Sequence, residues 1–258
     1  MNTIETLAQQ LRDAYSTRTA CPPLRTIIGV EDLETAYAIQ DLNNQLLIKK
    51  GARVTGRKIG LTSKAVQTQL GVDQPDFGIL LDTMEVLNGD SIAMSELMQP
   101  KVEADIAFVL MEDLPSRKLT TTELLSKIEY AVAAIEIVGG RIENWNIKIT
   151  DTIADNASAS HYVIGHRPVK LENVDLVNSK MEMTKNGEVV STGIGSACLG
   201  SPINATLWLV NKMAALGTPL KAGEVILSGA LGPMSSVAAG DTVVANFDGL
   251  GSVSVSFL

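Results

Sequence analysis

The chain opens on two stretches in which apolar residues recur at helical spacing. Ile4, Leu7, Ala8, Leu11 and Ala14-Tyr15 form the first. Leu33, Ala36-Tyr37, Ile39 and Leu46-Leu47 form the second, after the acidic start Glu31-Asp32. Cys21-Pro-Pro-Leu24 separates them, because two prolines cannot continue a helix. From Arg53 onward the period changes, and short Val- and Ile-rich runs predict strands over 53–61, Lys101–Leu110, 131–138, 225–227, 243–247 and 253–257. Ser63 caps an expected short helix over 64–70 that stops at Gly71. Asn88-Gly89 and Asn186-Gly187 predict two-residue hairpin turns. Residues 202–216 predict a helix with Pro near its start and Gly217 just past its end.

Many short strands with scattered single helices point to an α+β fold with a mixed, β-rich core. The expected organisation is a helical region over 1–50 packed beside a strand-rich region over 51–258. The regular strand–helix–strand rhythm is missing, and no Gly-x-Gly-x-x-Gly follows a strand, which disfavours a dinucleotide site.

Two of the strand-like runs carry charges where the pattern calls for apolar side chains. Glu103 and Asp105 interrupt Lys101–Leu110, and with a period of two they share one face. Taken alone, that pair is also compatible with a solvated face at the start of a strand. Glu136 is different, being the only polar side chain between Ala131 and Val138. A carboxylate buried in a strand costs several kcal/mol, of order, unless a cation or hydrogen bonds compensate it. Three of them converging would form an oxygen-only site, suited to Mg²⁺ or Mn²⁺ better than Zn²⁺ and open to a chelating substrate.

Composition narrows the field. The 258 residues are 45% hydrophobic, enough for a sizeable core, and 19% charged, which argues against disorder. A formal net charge of −8 with no long basic cluster makes nucleic acid and anionic membranes poor partners. No apolar run is long enough for a spanning helix, and the N-terminus lacks the pattern of a signal peptide. The two cysteines, Cys21 and Cys198, form no framework or metal-ligand spacing, so a cytoplasmic protein is expected.

Further segments carry candidate chemistry. Gly56-Arg-Lys-Ile-Gly60 places Lys58 within a strand, and Gln74-Pro-Asp-Phe-Gly78 places Asp76 in a turn. By itself Lys58 reads equally as a surface lysine, and Asp76 as an ordinary turn aspartate. Residues 151–158, Asp-Thr-Ile-Ala-Asp-Asn-Ala-Ser, either line a pocket or form a capped turn. His161 and His166 lie in a strand-like stretch and read as structural.

Together these segments resemble the 2-keto-4-pentenoate hydratase family of the fumarylacetoacetate hydrolase superfamily. The motifs are Gly-Arg-Lys-Ile-Gly-Leu-Thr-Ser, Gly-Val-Asp-Gln-Pro-Asp-Phe-Gly, Val-Glu-Ala-Asp-Ile-Ala, Glu-Ile-Val-Gly-Gly-Arg-Ile, Asp-Thr-Ile-Ala-Asp-Asn-Ala-Ser and Ile-Leu-Ser-Gly-Ala-Leu-Gly-Pro-Met. The resemblance implies a roll-like β core, a divalent metal and a small 2-oxo acid substrate. Its metal ligands fall on Glu103, Asp105 and Glu136, with Asp105 where most members have Glu. It implies catalytic roles for Lys58 and Asp76, and substrate or water contacts from Asp155, Ser158 and the Ser228-Gly229 backbone. Members either hydrate 2-hydroxypenta-2,4-dienoate or decarboxylate 4-oxalocrotonate. Decarboxylases tend to carry an apolar residue at the Asp76 place, so the resemblance favours a hydratase of aromatic meta-cleavage catabolism. A hydrolase of the superfamily would use a histidine in its N-terminal part, and none precedes His161. The resemblance also implies a homo-oligomer and, in some members, association with a pathway enzyme.

Overall fold

The computed structural model describes residues 2–63, 67 and 74–258. The helix expected over 64–70 lies outside the described residues apart from Gln67, whose N–H donates to the carbonyl of the cap position, Ser63, at 2.9 Å. The first helix, Thr3–Thr17, starts at Asn2 in a reciprocal cap with Glu5 and buries Leu7, Ala8, Leu11 and Ala14. Leu33–Lys49 starts at Asp32 and buries Ala36, Ile39, Gln40 and Asn44. Both pack against Ile142, Ile149 and Ile153 in one apolar cluster.

The strands are β1 (Val54–Gly60), β2 (Asp76–Leu81), β3 (Glu85–Val86), β4 (Ser91–Ile92), β5 (Lys101–Leu110), β6 (Ile128–Val138), β7 (Ala159–Ile164), β8 (Lys180–Lys185), β9 (Glu188–Ile194), β10 (Val225–Ala230), β11 (Ser235–Ser236), β12 (Thr242–Phe247) and β13 (Gly251–Phe257). One sheet runs β2-β1-β10-β5-β6-β7-β3, with β11 also paired to β5, and the other runs β4-β13-β12-β8-β9. Parallel pairs β1–β10, β3–β7 and β4–β13 sit among antiparallel ones, so the core is mixed, as the pattern predicts.

The larger sheet curls on itself. Four strands separate β2 from β7, yet Leu80 and Tyr162 share an apolar cluster, and the Thr55 and Tyr162 hydroxyls are 2.9 Å apart. The outer face carries Ile106, Ala133, Ile135 and Ile137 and packs on Val243, Ala245, Val253 and Val255 of the second sheet. The helix Pro202–Ala215 packs into the same core through Leu209 and Met213.

Two turn expectations part company here. Asn186 and Gly187, both at positive φ, close the β8–β9 hairpin. Asn88-Gly89 turns the chain, but the flanking β3 and β4 pair with β7 and β13 in different sheets. The turn chemistry is local, whereas its flanking strands find their partners through distant contacts. Asp76, expected in a turn, is instead the first residue of β2, directly opposite Gly60.

Strand β2 forms one edge of its sheet, and side chains from elsewhere satisfy its outward backbone groups. Gln40 donates to the Phe77 and Ile153 carbonyls at 3.0 and 2.9 Å. Asn156 accepts from Ile79 N and donates to Ile79 O, both at 2.9 Å. Tyr37 stacks on Phe77 with ring centroids 4.5 Å apart. An edge covered this way cannot pair with a foreign strand. Gln40→Met would leave the buried Phe77 carbonyl without its donor and take one donor from Ile153, and should lower stability by about 2 kcal/mol in urea unfolding. An unchanged midpoint would show that Gln40 does not hold the edge.

Candidate active site

Register dictates what lines the inside of the curl. Glu103 and Glu136 are direct partners across β5 and β6, and Asp105 opposes Ala134. Lys58 opposes Leu227 on one side and Gly78 on the other. Since directly opposed residues point the same way, Lys58, Asp76, Glu103, Asp105 and Glu136 all face inward. They gather where β1, β6 and β10 end and β2 and β5 begin. The other end of the interior is apolar, filled by Leu80, Ala107, Val132, Ala134, Tyr162 and Leu227.

All five ionisable groups are buried. Lys58 Nζ lies 3.0 Å from Glu136 Oε1 and donates to the Ala157 carbonyl at 2.8 Å. Burial alone would depress the Lys58 ammonium, but Glu136, Glu103 and Asp76 outweigh it and hold it above the usual lysine range. Burial pushes Glu136 up to about 8 against the pull of Lys58. Glu103 is raised by burial and lies within hydrogen-bonding reach of Glu136. Asp105 is raised well above its usual value by burial and then by the charges of Glu103 and Glu136. Burial raises Asp76 as well, opposed by Lys58. The site is thus short of positive charge: one ammonium faces four carboxyl groups.

Several oxygens here lack a donor. Both carboxyl oxygens of Asp76, Oδ1 of Asp105, Oε2 of Glu136 and the Ser228 hydroxyl make no hydrogen bond among the described residues. The Thr152 hydroxyl faces Asp76 at a geometry short of a full hydrogen bond. Gly60 is dictated by this crowding, because a Cβ there would fall 2.2 Å from Asp76 Oδ1. A register shift in β10 between Leu227 and Ala230, with Gly229 at φ 98°, aims the Gly229 N–H at Asp105 Oδ2, 2.9 Å away.

The donor chemistry fits a hard divalent cation: acceptor-only oxygens on one face, some of them unsatisfied. As the side chains stand, no three His, Cys, Asp or Glu among the described residues are grouped at ligand spacing, and Lys58 occupies one oxygen of Glu136.

Other expected site residues are placed differently. Asp155 is not aimed at this cluster; it is ion-paired with Arg141, whose backbone N–H it also binds at 2.9 Å. Ser158 stands 3.4 Å from the Thr152 hydroxyl, one step behind Asp76. The Gly229 amide is already committed to Asp105. His161 bonds Ser160, and no hydrogen bond or ion pair joins either histidine to the cluster among the described residues. Sequence reasoning missed Thr152, Asn156 and Ala157, although all three lie in the stretch over 151–158. Asn156, Ala157 and Ser158 are consecutively left-handed, at φ 56°, 52° and 58°. Only Asn adopts that conformation readily, so the turn is strained, and it is what aims the Ala157 carbonyl at Lys58.

Residues 56–257 match the family model for the fumarylacetoacetate hydrolase C-terminal domain. The chain belongs to the fumarylacetoacetate hydrolase family. Within it, the chain is 52% identical to a 2-keto-4-pentenoate hydratase of Burkholderia vietnamiensis over 99% of its own length and 98% of the relative's. It is also 52% identical to the TodF product hydratase of Pseudomonas putida, covering 97% and 93% of the two chains. A solved 4-oxalocrotonate decarboxylase of Pseudomonas putida, complexed with magnesium and adipate, superposes with a TM-score of 0.94 at 32% identity, covering 99% and 97%. The roll-like core and N-terminal helices are therefore those of the fumarylacetoacetate hydrolase fold.

The buried Glu136 carboxyl makes the folded chain less stable as pH rises. Glu136 moves from 4.5 to about 8 on folding, so between those values the folded chain binds more protons than the unfolded one. Its contribution is favourable at low pH and is lost as pH rises through that window, while Lys58 stays charged throughout. The urea midpoint of chelator-treated protein should drop between about pH 5.5 and about pH 8.5, and Glu136→Gln should flatten the drop. An equal slope in the variant removes Glu136 as the cause.

Proposed function

We propose that the chain adds water to 2-hydroxypenta-2,4-dienoate to give 4-hydroxy-2-oxopentanoate, as a hydro-lyase of aromatic meta-cleavage catabolism. The observation that carries this reading is the inward-facing set of Lys58, Asp76, Glu103, Asp105 and Glu136, with carboxyl oxygens left without donors. Glu103, Asp105 and Glu136 would hold a divalent cation, Mg²⁺ or Mn²⁺, which when bound stabilises negative charge on the substrate C2 oxygen. The 4-oxalocrotonate decarboxylase, at 32% identity, is complexed with magnesium, which supports that choice.

The chain's own residues divide the remaining work. Lys58, kept as ammonium, places a positive charge beside the C2 oxygen or C1 carboxylate and favours the enolate-like state. Ketonisation withdraws the C2 hydroxyl proton, moves electrons out through the diene and protonates C5. Water then bonds C4, and C3 takes up a proton. Asp76 is suited to these transfers because burial raises its carboxyl above the usual range and its oxygens are uncommitted. Ser158 would act through Thr152 and Asp76, and Asp155 through Arg141, so both position other groups. The decarboxylase shares the fold, so the fold does not choose between reactions. Asp76 and the 52% identity to hydratases favour hydration.

Removing divalent metal with a chelator should abolish turnover of the dienol, and Mg²⁺ or Mn²⁺ should restore it. Undiminished turnover would sink the metal reading. Asp76→Asn should reduce kcat by about 100-fold or more while metal affinity holds, read by steady-state assay and metal titration. An equal rate would take Asp76 out of the mechanism. CO₂ release from 4-oxalocrotonate, without hydration of the dienol, would favour the decarboxylase.

A further inference from the structure

The inner face has a second cation that the mechanism does not use. Lys101 is the first residue of β5 and opposes Val138. Its parity is that of Glu103 and Asp105, so its side chain leaves β5 on the same face, one inward position, or about 7 Å, nearer the strand end than Glu103. The two inward lysines differ in one respect. Lys58 is locked onto Glu136, whereas Lys101 makes no ion pair with a carboxylate among the described residues. Its ammonium sits instead over the Trp145 ring, 4.6 Å from the centroid.

That platform is built with care. The Trp145 indole N–H donates to the Gln99 carbonyl at 3.0 Å. The Gln99 side chain in turn donates to the Gly140 and Ile142 carbonyls at 2.8 and 2.7 Å. Gln99 and Trp145 are both left-handed, at φ 48° and 53°, a conformation that bulky residues adopt only at a cost. Gly140 lies against the ring, where a Cβ would come within 3.5 Å of the indole. The assembly fixes where the ammonium stands and leaves its charge without a carboxylate partner among the described residues. A cation held on a neutral ring stays available to an incoming anion, as one held on a carboxylate does not.

The electrostatics of the chain give such a group a task. A substrate bearing a carboxylate must approach a protein of net charge −8 and a site with four carboxyl groups. We propose that Lys101, presented by Trp145, is the docking cation that captures the substrate carboxylate at the mouth and hands it inward. The proposal rests on the 2-oxo acid reading above. It makes Lys101 a binding residue, with its effect on capture and not on the bond-making steps.

The test compares wild type with Lys101→Met, Lys101→Arg and Trp145→Leu, all loaded with Mg²⁺. For Lys101→Met, kcat/KM on 2-hydroxypenta-2,4-dienoate should fall about tenfold with kcat within about twofold, and the wild-type advantage in kcat/KM should shrink as NaCl is added, which gives the two a different salt slope. Lys101→Arg should recover both kcat/KM and the salt slope. Trp145→Leu should raise KM while keeping part of the salt slope, because the charge remains but its position is lost. Calorimetric titration with 2-oxopentanoate, a 2-oxo acid without the diene, reads capture independently of turnover. Weaker binding in Lys101→Met supports the proposal even if wild type hydrates nothing, an outcome that would overturn the hydratase reading alone. If kcat/KM, salt slope and 2-oxopentanoate affinity all match wild type, Lys101 does not dock the substrate. A fall in melting temperature and kcat with an unchanged salt slope would make the lysine–indole contact a structural clamp, and also overturns the proposal.

Discussion

The interior of this protein depends on one ammonium group buried among carboxyl groups. Lys58 is the counter-charge for Glu136, Glu103 and Asp76. Without it, β1, β2, β5 and β6 would converge on like charges with little solvent to screen them. Its position is set from far away in sequence. Asn44 on the helix Leu33–Lys49 bonds Asn156 at 3.1 Å, and Asn156 bonds the edge of β2. The left-handed turn that follows directs the Ala157 carbonyl onto Lys58 Nζ. The helix Leu33–Lys49 is thus tied to the site by the amides of Gln40 and Asn44 as well as by apolar packing.

How much of this was legible in the sequence depended on whether the cause was local. Strands β5 and β6 were readable because their apolar runs are long, and Glu136 stood out because nothing polar surrounds it. Lys58 did not stand out, since alternation gives a side chain's face and not what covers that face. Its burial comes from β2 and the turn at Asn156–Ser158, almost 100 residues later in the chain. Asp76 looked like a turn residue because Pro75 precedes it and Gly78 follows. It became a strand residue because Gln40, Asn156 and β1 bond that segment. Asp155 looked like a site residue from its motif, yet Arg141 claims it. That arginine lies in the Gly-Gly-Arg-Ile segment, and nothing local in the sequence marks it as the partner of Asp155.

Part of the backbone strain in this protein does the aiming of side groups. Left-handed residues at Asn156, Ala157 and Ser158 aim a carbonyl, and those at Gln99 and Trp145 aim an indole. A displaced register in β10 aims an amide at Asp105. Regular strands supply rigidity and inward direction, while these irregular positions do the final pointing. A single scaffold can therefore serve several reactions of 2-oxo acids by changing what is pointed and leaving the sheets intact.

The apolar plug formed by Leu80, Ala107, Val132, Ala134, Tyr162 and Leu227 has a kinetic meaning. It fills one part of the interior with side chains and leaves the five ionisable groups at the opposite strand ends as the place where a small acid can be held. On the proposed reaction, a product bearing the same 2-oxo carboxylate would seek the same groups as the reactant, so the two would compete for one site. Accumulated product would then slow uptake of fresh reactant, and throughput would depend on how quickly whatever consumes the product clears it away.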